Sequence, residues 1–253
     1  MIVYGRNPVR EALRGRRAHA VRELWATAGA AREPWLEAAR ATIVTAEEIE
    51  ARCGSAAHQG ICAEAGDYPY VSPVELLGEH QPLIVVLDQV QDPQNLGSIC
   101  RTAECVGAAG VVIPERRAAE VTPAVCKASA GAVEHLRVAR VRNVADFLID
   151  ARAAGCWSYG ASVDEEPAPD AQVRAGSEAP ALAYDEPDYA GAGVLLVLGS
   201  EGSGLRPRVA EACDVLIALP LRGRIESLNV SAAAAAILYE ILQQRERALD
   251  NSP

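Results

Sequence analysis

The spacing of apolar and polar residues changes near residue 83 and divides the chain into two parts. From there onward, short apolar runs such as LIVVL at 83–87 and VLLVL at 194–198 alternate with amphipathic segments. Apolar runs of this length are typical of buried parallel strands, and the segments between them are typical of connecting helices. The pattern predicts an α/β domain over residues 83–253, with five or six mostly parallel strands and helices on both faces of the sheet.

Residues 1–66 show a shorter alternation of helical and strand patterns, which predicts a small α/β unit. Asn7 stands directly before a proline, so it is the predicted N-cap of the first helix. Thr45 and Gly54 bracket a second helical pattern, TAEEIEARCG. Residues 67–82 contain several prolines and glycines and predict a linker with one helical turn.

Three segments place similar polar residues directly after predicted strands or before predicted helices. They are DPQNLGSICR at 92–101, GSEGSGLRP at 199–207 and RIESLNVS at 224–231. In an α/β sheet, the loops at the carboxyl ends of the strands form the crevice in which ligands bind. The sequence therefore predicts a binding site at one edge of the sheet.

Each of these polar residues also has a structural interpretation. Asn95 and Asn229 both fit the N-cap of a helix, and an isolated loop glutamate such as Glu201 is usually only solvated. Arg101 is harder to explain in this way. The helix around it is apolar and small, and an arginine on a largely buried helix usually meets an anion or a carboxylate.

The last segment predicts a long helix that Asn229 or Ser231 caps. Five consecutive alanines at 232–236 permit another backbone to pass close by, such as the helix of a partner chain. Capping of the helix explains a serine or an asparagine at this position. It does not explain why Ser227, Asn229 and Ser231 occur together.

The distribution of charge weakens the argument that an acidic protein avoids nucleic acid. The chain has a formal net charge of −10, but residues 160–190 hold eight acidic side chains and one arginine. The first 40 residues carry eight arginines and four glutamates, a local excess of positive charge. A basic region can bind a phosphate backbone even when the whole chain is acidic. Residues 163–189 contain four prolines without periodicity and predict a mobile surface loop.

Several patterns that indicate other classes of protein are missing from the sequence. No uncharged apolar stretch reaches 18 residues and no signal-peptide pattern is readable, which predicts a cytoplasmic protein without a membrane span. Seven cysteines without a CxxC pair predict reduced thiols, mostly buried. Four histidines without zinc-ligand spacing predict no metal site.

In this order and spacing, the motifs NLGSICR, LGSEGSGL and SLNVS resemble those of the SpoU branch of the SPOUT RNA 2′-O-ribose methyltransferases. The resemblance covers residues 83–245. The first unit, with YGRNPVREAL and HQGICAEA, is similar to the L30e-like substrate-binding domain of the RlmB-like subgroup, which methylates a guanosine of 23S rRNA.

The resemblance implies a fold, a cofactor and partners. The fold is a small L30e-like α/β domain followed by a SPOUT-type α/β domain with a mostly parallel sheet and a C-terminal trefoil knot. The cofactor is S-adenosyl-L-methionine, without a metal. The substrate is RNA, with 23S rRNA as the first expectation, and the active form is a homodimer in which the partner chain completes the site.

The resemblance also implies roles for individual residues. The implied catalytic set is Asn95, Arg101, Glu201 and Asn229. The implied cofactor pocket consists of Leu198, Gly199, Glu201, Leu219, Ser227, Leu228 and Asn229. Because a guanidinium group keeps its proton, an electrostatic role for Arg101 is favoured over the role of general base.

Three other functions remain open at this point. One is a tRNA or antibiotic-site rRNA 2′-O-methyltransferase of the same family, and another is a catalytically inactive RNA-binding scaffold. The third is a nucleotide-dependent oxidoreductase. The order of glycines in GSEGSG fits neither a Walker A loop nor the GxGxxG fingerprint, which argues against the oxidoreductase.

Overall fold

Two β-sheets organise the chain, and the computed structural model describes residues 1–37, 39–162, 181–225 and 227–251. The first part contains β1 (Ile2–Tyr4), α1 (Arg6–Ala12), β2 (Val21–Ala26), α2 (Pro34–Glu37), β3 (Thr42–Ile43), α3 (Ala46–Cys53) and β4 (Ile61–Ala65). The second contains α4 (Pro73–Leu77), β5 (Leu83–Leu87), α5 (Pro93–Cys105), β6 (Gly110–Pro114), α6 (Pro123–Ala128), β7 (Val138–Val141), α7 (Val144–Ala153), β8 (Cys156–Ser162), β9 (Leu182–Ala183), β10 (Gly193–Leu198), α8 (Pro207–Ala212), β11 (Val215–Ala218) and α9 (Val230–Asp250).

The larger sheet has seven strands in the order β7-β6-β5-β10-β8-β11-β9, and every pairing within it is parallel. Three adjacent interior strands, β6, β5 and β10, are buried along their whole length, as the apolar runs predict. The α/β class and the parallel sheet are thereby confirmed. The C-terminal knot stays a prediction.

The seventh strand, β9, corrects the prediction of a mobile surface loop at 163–189 for its described part, residues 181–189. Leu182 pairs with Ile217 at the edge of the sheet. Tyr189 is completely buried, and its hydroxyl donates a hydrogen bond of 2.6 Å to the carbonyl of Tyr184. Apolar residues among the acidic ones therefore fix this part of the segment, whereas residues 163–180 lie outside the described chain.

Helices cover both faces of the large sheet, because alternate residues of each central strand point in opposite directions. On one face, Leu83, Val85 and Leu87 of β5 belong to the core under α5, α6 and α9. On the other face, Ile84 and Val86 belong to the core under α7 and α8. In the described residues, no helix is long and apolar enough to span a membrane. All seven cysteines are free and five are buried, which confirms the predicted thiols.

The first unit has a four-stranded sheet in the order β1-β4-β2-β3. Its third helix follows the sequence pattern closely: Thr45 and Glu48 form a reciprocal capping box, and Gly54 ends the helix in the left-handed conformation. The prediction for Asn7 is wrong. The helix begins two residues earlier than predicted, at Arg6 after Gly5 with φ of 96°, so Asn7 lies inside the first turn.

The predicted linker is packed against the larger unit. The hydroxyl of Tyr68 donates to the carbonyls of Val133 and Leu136, at 3.0 and 2.6 Å. Val71 pairs with Ala139 at the edge of β7, and the predicted helical turn is α4. Residues 67–82 therefore connect the units through fixed contacts.

A buried ion pair also joins the two units. Arg17, which is 1% exposed, donates from Nε and Nη2 to the two carboxylate oxygens of Glu134, at 2.7 and 2.6 Å. A third donor of the guanidinium bonds to the carbonyl of Gly66 at 2.8 Å. Planar two-point pairing of this kind fixes orientation as well as distance, so the first unit is held against the 3-10 turn that contains Glu134.

Candidate active site

The carboxyl ends of β5 and β10 lie side by side, and the glycine-rich segment forms a tight loop beyond β10. The backbone groups of Ser200 and Gly204 exchange two hydrogen bonds of 3.0 Å across this loop. Gly202 and Gly204 have φ of 83° and 62°, which side chains other than glycine rarely adopt. A Cβ at Gly199 would overlap the backbone carbonyl of Gly204, so only glycine fits there.

Asp88, which the sequence analysis missed, holds this loop against the end of β5. Asp88 is completely buried. Its carboxylate accepts hydrogen bonds from the backbone N–H and from Nε of Arg206, at 3.0 and 2.8 Å. Its own N–H donates to the carbonyl of Leu198. The available signal was an acidic residue directly after the apolar run LIVVL, where burial without a partner is unfavourable.

The structural interpretation of Asn95 as a helix cap is wrong. Asp92 is the N-cap of α5, and its carboxylate accepts a hydrogen bond of 2.9 Å from the N–H of Gln94. Asn95 lies in the first turn and is 6% exposed. Its Oδ1 accepts a hydrogen bond of 3.0 Å from Nδ2 of Asn229, a residue 134 positions away.

Asn229 caps a helix, as one interpretation of the sequence predicts, and it also bonds to Asn95. Its Oδ1 accepts hydrogen bonds from the N–H and the hydroxyl of Ser231, at 2.8 and 2.6 Å, and thereby caps α9. Its Nδ2 is the donor to Asn95. One side chain thus uses its acceptor to begin a helix and its donor to join two of the three predicted motifs.

A pocket of about 380 Å³ lies between the glycine-rich loop and the turn that precedes α9. Its walls are Ala161, Leu198, Gly199, Ser200, Glu201, Gly202, Gly204, Ser227, Leu228, Asn229, Val230 and Ala233. Six of the seven residues implied for the cofactor are among them. The seventh, Leu219, is not in the wall and packs partly buried against the core. This volume falls in the usual range for a small-molecule site.

Glu201 provides the only carboxylate in this wall among the described residues. It is exposed, and it makes no ion pair within the described part of the chain. Apolar side chains such as Leu198 and Leu228 provide the rest of the lining together with backbone groups. The pocket can therefore take a flat apolar ring along with a positively charged group.

Arg101 occupies a different position from the one expected. The helix around it is buried on one side, at residues such as Ile99 and Cys100, but Arg101 lies on the exposed side. Successive helical residues are rotated by about 100°, so six positions separate Arg101 from Asn95 by about 120° around the helix axis. The side chain of Arg101 makes no hydrogen bond or ion pair with any described residue. The structure thus brings Asn95 and Asn229 together and leaves the guanidinium free to meet a ligand.

Comparison with known proteins agrees with this arrangement. The family model described as the SpoU rRNA methylase family matches residues 82–239. A second model, described as RNA 2′-O ribose methyltransferase substrate binding, matches residues 2–71. These two matches cover the two units described above.

Individual relatives extend over most or all of the chain. YacO of Bacillus subtilis, whose name assigns it to the TrmH family of tRNA/rRNA methyltransferases, is 41% identical over 74% of this chain and 71% of its own. A Staphylococcus haemolyticus protein of the same designation is 31% identical over 100% of this chain and 99% of its own. The crystal structure of the SpoU methyltransferase AviRb from Streptomyces viridochromogenes, in complex with the cofactor AdoMet, has a TM-score of 0.74 at 25% identity. That alignment covers 97% of this chain and 90% of AviRb.

The matched family model spans more than half of the chain. Two of the three motifs line one pocket, and the third is joined to it by the hydrogen bond between Asn229 and Asn95. The chain belongs to the SpoU rRNA methylase family.

Proposed function

We propose that the protein transfers the methyl group of S-adenosyl-L-methionine to a ribose 2′-hydroxyl in RNA, in the cytoplasm. The observation that carries this proposal is the hydrogen bond between Asn229 and Asn95, beside the pocket of the glycine-rich loop. Packing does not require it, because α5 already has its own cap in Asp92.

The pocket fits the cofactor chemically as well as in size. S-adenosylmethionine supplies a methyl group that its positive sulfur already activates, so the transfer needs no metal. Leu198 and Leu228 offer apolar surface for the adenine ring, and the backbone groups around Gly199 offer hydrogen bonds. Among the described residues of the wall, the carboxylate of Glu201 is the group that complements the positive charges of the cofactor.

Activation of the nucleophile is the main difficulty of the reaction, because a ribose hydroxyl is a weak nucleophile. The bound cofactor would supply the methyl group as its C–S bond is exchanged for the new O–C bond, and the hydroxyl proton would leave to solvent or a nearby base. The guanidinium of Arg101 stays charged and can stabilise the developing negative charge or hold the adjacent phosphate. Asn95 and Asn229 would position the ribose, which lowers the entropic cost of reaching the reactive geometry.

The target proposed first is a guanosine of 23S rRNA. Support comes from the first unit, since a model for RNA 2′-O ribose methyltransferase substrate binding matches residues 2–71. The names of the relatives include both tRNA and rRNA, so a tRNA or antibiotic-site rRNA enzyme is the alternative within the family.

We also propose that the active form is a homodimer. The exposed side of α9 carries small or apolar residues, among them Ala232, Ala236 and Tyr239. In the segment before it, Ile225 is 76% exposed and Leu228 is 48% exposed. An exposed apolar surface of this kind favours association with a second copy around a twofold axis, and that copy could bring further groups to the pocket. Sedimentation equilibrium of the purified protein should give twice the chain mass.

The reaction is tested with purified protein, tritium-labelled S-adenosylmethionine and total bacterial RNA. Methylation of a 2′-oxygen blocks cleavage of the next phosphodiester bond by alkali, so the label should appear in alkali-resistant dinucleotides of 23S rRNA. Label in single nucleotides would exclude the ribose as acceptor, and label in tRNA would select the alternative target. If the RNA binds but S-adenosylmethionine gives no heat in calorimetry, the protein is an RNA-binding scaffold.

A further inference from the structure

Lys127 is the single lysine of the chain, among 24 basic residues in total. It lies near the end of α6. Unlike many of the arginines, it forms no ion pair with a described residue of either unit. Lys127 lies where α6 contacts Tyr4, Gly5 and Gln59 of the first unit. We call this contact the seam.

The ammonium group of Lys127 lies directly against the first unit. Its Nζ is 6.0 Å from the centre of the Tyr4 ring. A Cβ at Gly5 would lie 2.6 Å from this Nζ and 3.2 Å from Oε1 of Gln59. Gly5 itself is buried and has φ of 96°. The absence of a side chain at Gly5 therefore leaves room for the Lys127 ammonium and the Gln59 amide to lie against its backbone.

Lys127 differs from the other partly buried cations in having no anionic or carbonyl partner. Arg17 pairs with Glu134, Arg137 pairs with Glu79, and Arg245 donates to three backbone carbonyls. The ammonium group of Lys127 makes no hydrogen bond or ion pair with any described residue, and its partial burial lowers its pKa. A desolvated charge of this kind gains most from an incoming anion.

The surroundings of the seam favour a phosphate as that anion. Arg6 follows Gly5, and its side chain is 52% exposed although it pairs with Glu33. Asn7 is also exposed. The compact ammonium group of a lysine binds phosphate as a point charge. The side-chain amides of Gln59 and Asn7 can donate hydrogen bonds to the phosphate oxygens or to a ribose.

We infer that Lys127 binds a backbone phosphate of the substrate RNA at the seam, so that the RNA contacts both units at once. This inference rests on the proposed function. Because the ion pair of Arg17 and the contacts of Tyr68 fix the two units relative to each other, the phosphate at Lys127 lies at a constant distance from the pocket. The seam thereby sets which nucleotide reaches the methyl group.

The single lysine permits a direct test on the unmodified protein. Acetylation by a succinimidyl ester, followed by mass spectrometry, reports only Lys127 and the amino terminus of Met1. Deproteinised total bacterial RNA should slow acetylation of Lys127 and leave the reaction of Met1 as an internal reference. Equal protection of both amines, or of neither, overturns the inference.

A binding series supplies the second measurement. Lys127→Met should raise the Kd for the same RNA about tenfold at low salt and reduce the slope of log K against log salt concentration by about one. Lys127→Arg should stay close to the wild type. The matched control is Arg152→Gln, which removes a positive charge at the amino-terminal edge of the sheet. An unchanged salt slope in Lys127→Met contradicts the inference. Both tests need RNA binding alone, so a failure of methylation in the wild type would overturn the proposed function separately.

Discussion

Arg17 and Arg101 show two opposite uses of the same side chain. Arg17 is buried between the units, and its guanidinium bonds to Glu134, Gly66, Met1 and Cys126. Arg101 lies on the surface of α5, and its guanidinium bonds to no described residue. The buried Arg17 donates its hydrogen bonds to groups within the chain and thereby stabilises the arrangement of the two units. The N–H donors of the exposed Arg101 guanidinium are available to a ligand. Stability and chemistry should therefore respond separately to substitution.

Arg17→Met should produce the largest effect, and it should act on stability. The substitution leaves the carboxylate of Glu134 buried without its partner, which costs about 3–5 kcal/mol. Urea unfolding followed by circular dichroism measures the loss. The double variant Arg17→Met/Glu134→Leu removes both charges and should recover most of the stability. If the single variant loses less than about 1 kcal/mol, the pair does not hold the units together.

Arg101→Ala should have the opposite profile. Because the side chain has no partner in the described chain, the free energy of unfolding should change by less than about 0.5 kcal/mol. Methyl transfer should fall roughly 100-fold, which corresponds to about 2.7 kcal/mol of transition-state stabilisation. Single-turnover assays with labelled cofactor give the rate, and calorimetry should show unchanged cofactor binding. Near-normal turnover would remove Arg101 from the catalytic set.

Asn229→Asp separates the two roles of this residue. Aspartate caps a helix as well as asparagine does, so the stability should be retained. It cannot donate to Asn95, and the rate of methylation should fall about tenfold or more, equivalent to about 1.4 kcal/mol. The matched control is Asn143→Asp. Asn143 caps α7 through Oδ1 and the N–H of Ala145 at 3.1 Å, outside the pocket, so its variant should methylate normally. Equal activity of both variants would leave Asn229 as a cap only.

The contrast between the two arginines also explains what the sequence could predict. Strands β5 and β10 follow from the apolar runs at 83–87 and 194–198, and the structure has them at Leu83–Leu87 and Gly193–Leu198. The helix from Thr45 to Gly54 follows from local capping chemistry. These elements depend on neighbours in the sequence, and a single sequence contains that information.

Long-range partners could not be predicted in the same way. The bond from Asn229 to Asn95 spans 134 positions, and the one from Arg206 to Asp88 spans 118. Asp88 was overlooked because an acidic residue after a strand reads as a surface residue until its partner is known. The position of Leu219 outside the pocket wall depends likewise on how the chain returns from β11 to α9.

Ser231→Ala should have the smallest effect. It tests whether the hydrogen bond between Asn229 and Asn95 survives when Asn229 loses the hydroxyl of Ser231 as a partner. The substitution removes the 2.6 Å hydrogen bond from the hydroxyl to Oδ1 of Asn229, but the backbone N–H groups of residues 231 and 232 still bond to that oxygen. The cap is therefore retained, and the free energy of unfolding should change by less than about 0.5 kcal/mol. The rate should fall by less than about threefold, because Nδ2 remains directed at Asn95. A loss as large as that of Asn229→Asp would mean that the serine hydroxyl itself contacts the ribose or the cofactor, and the polar set would then include Ser231.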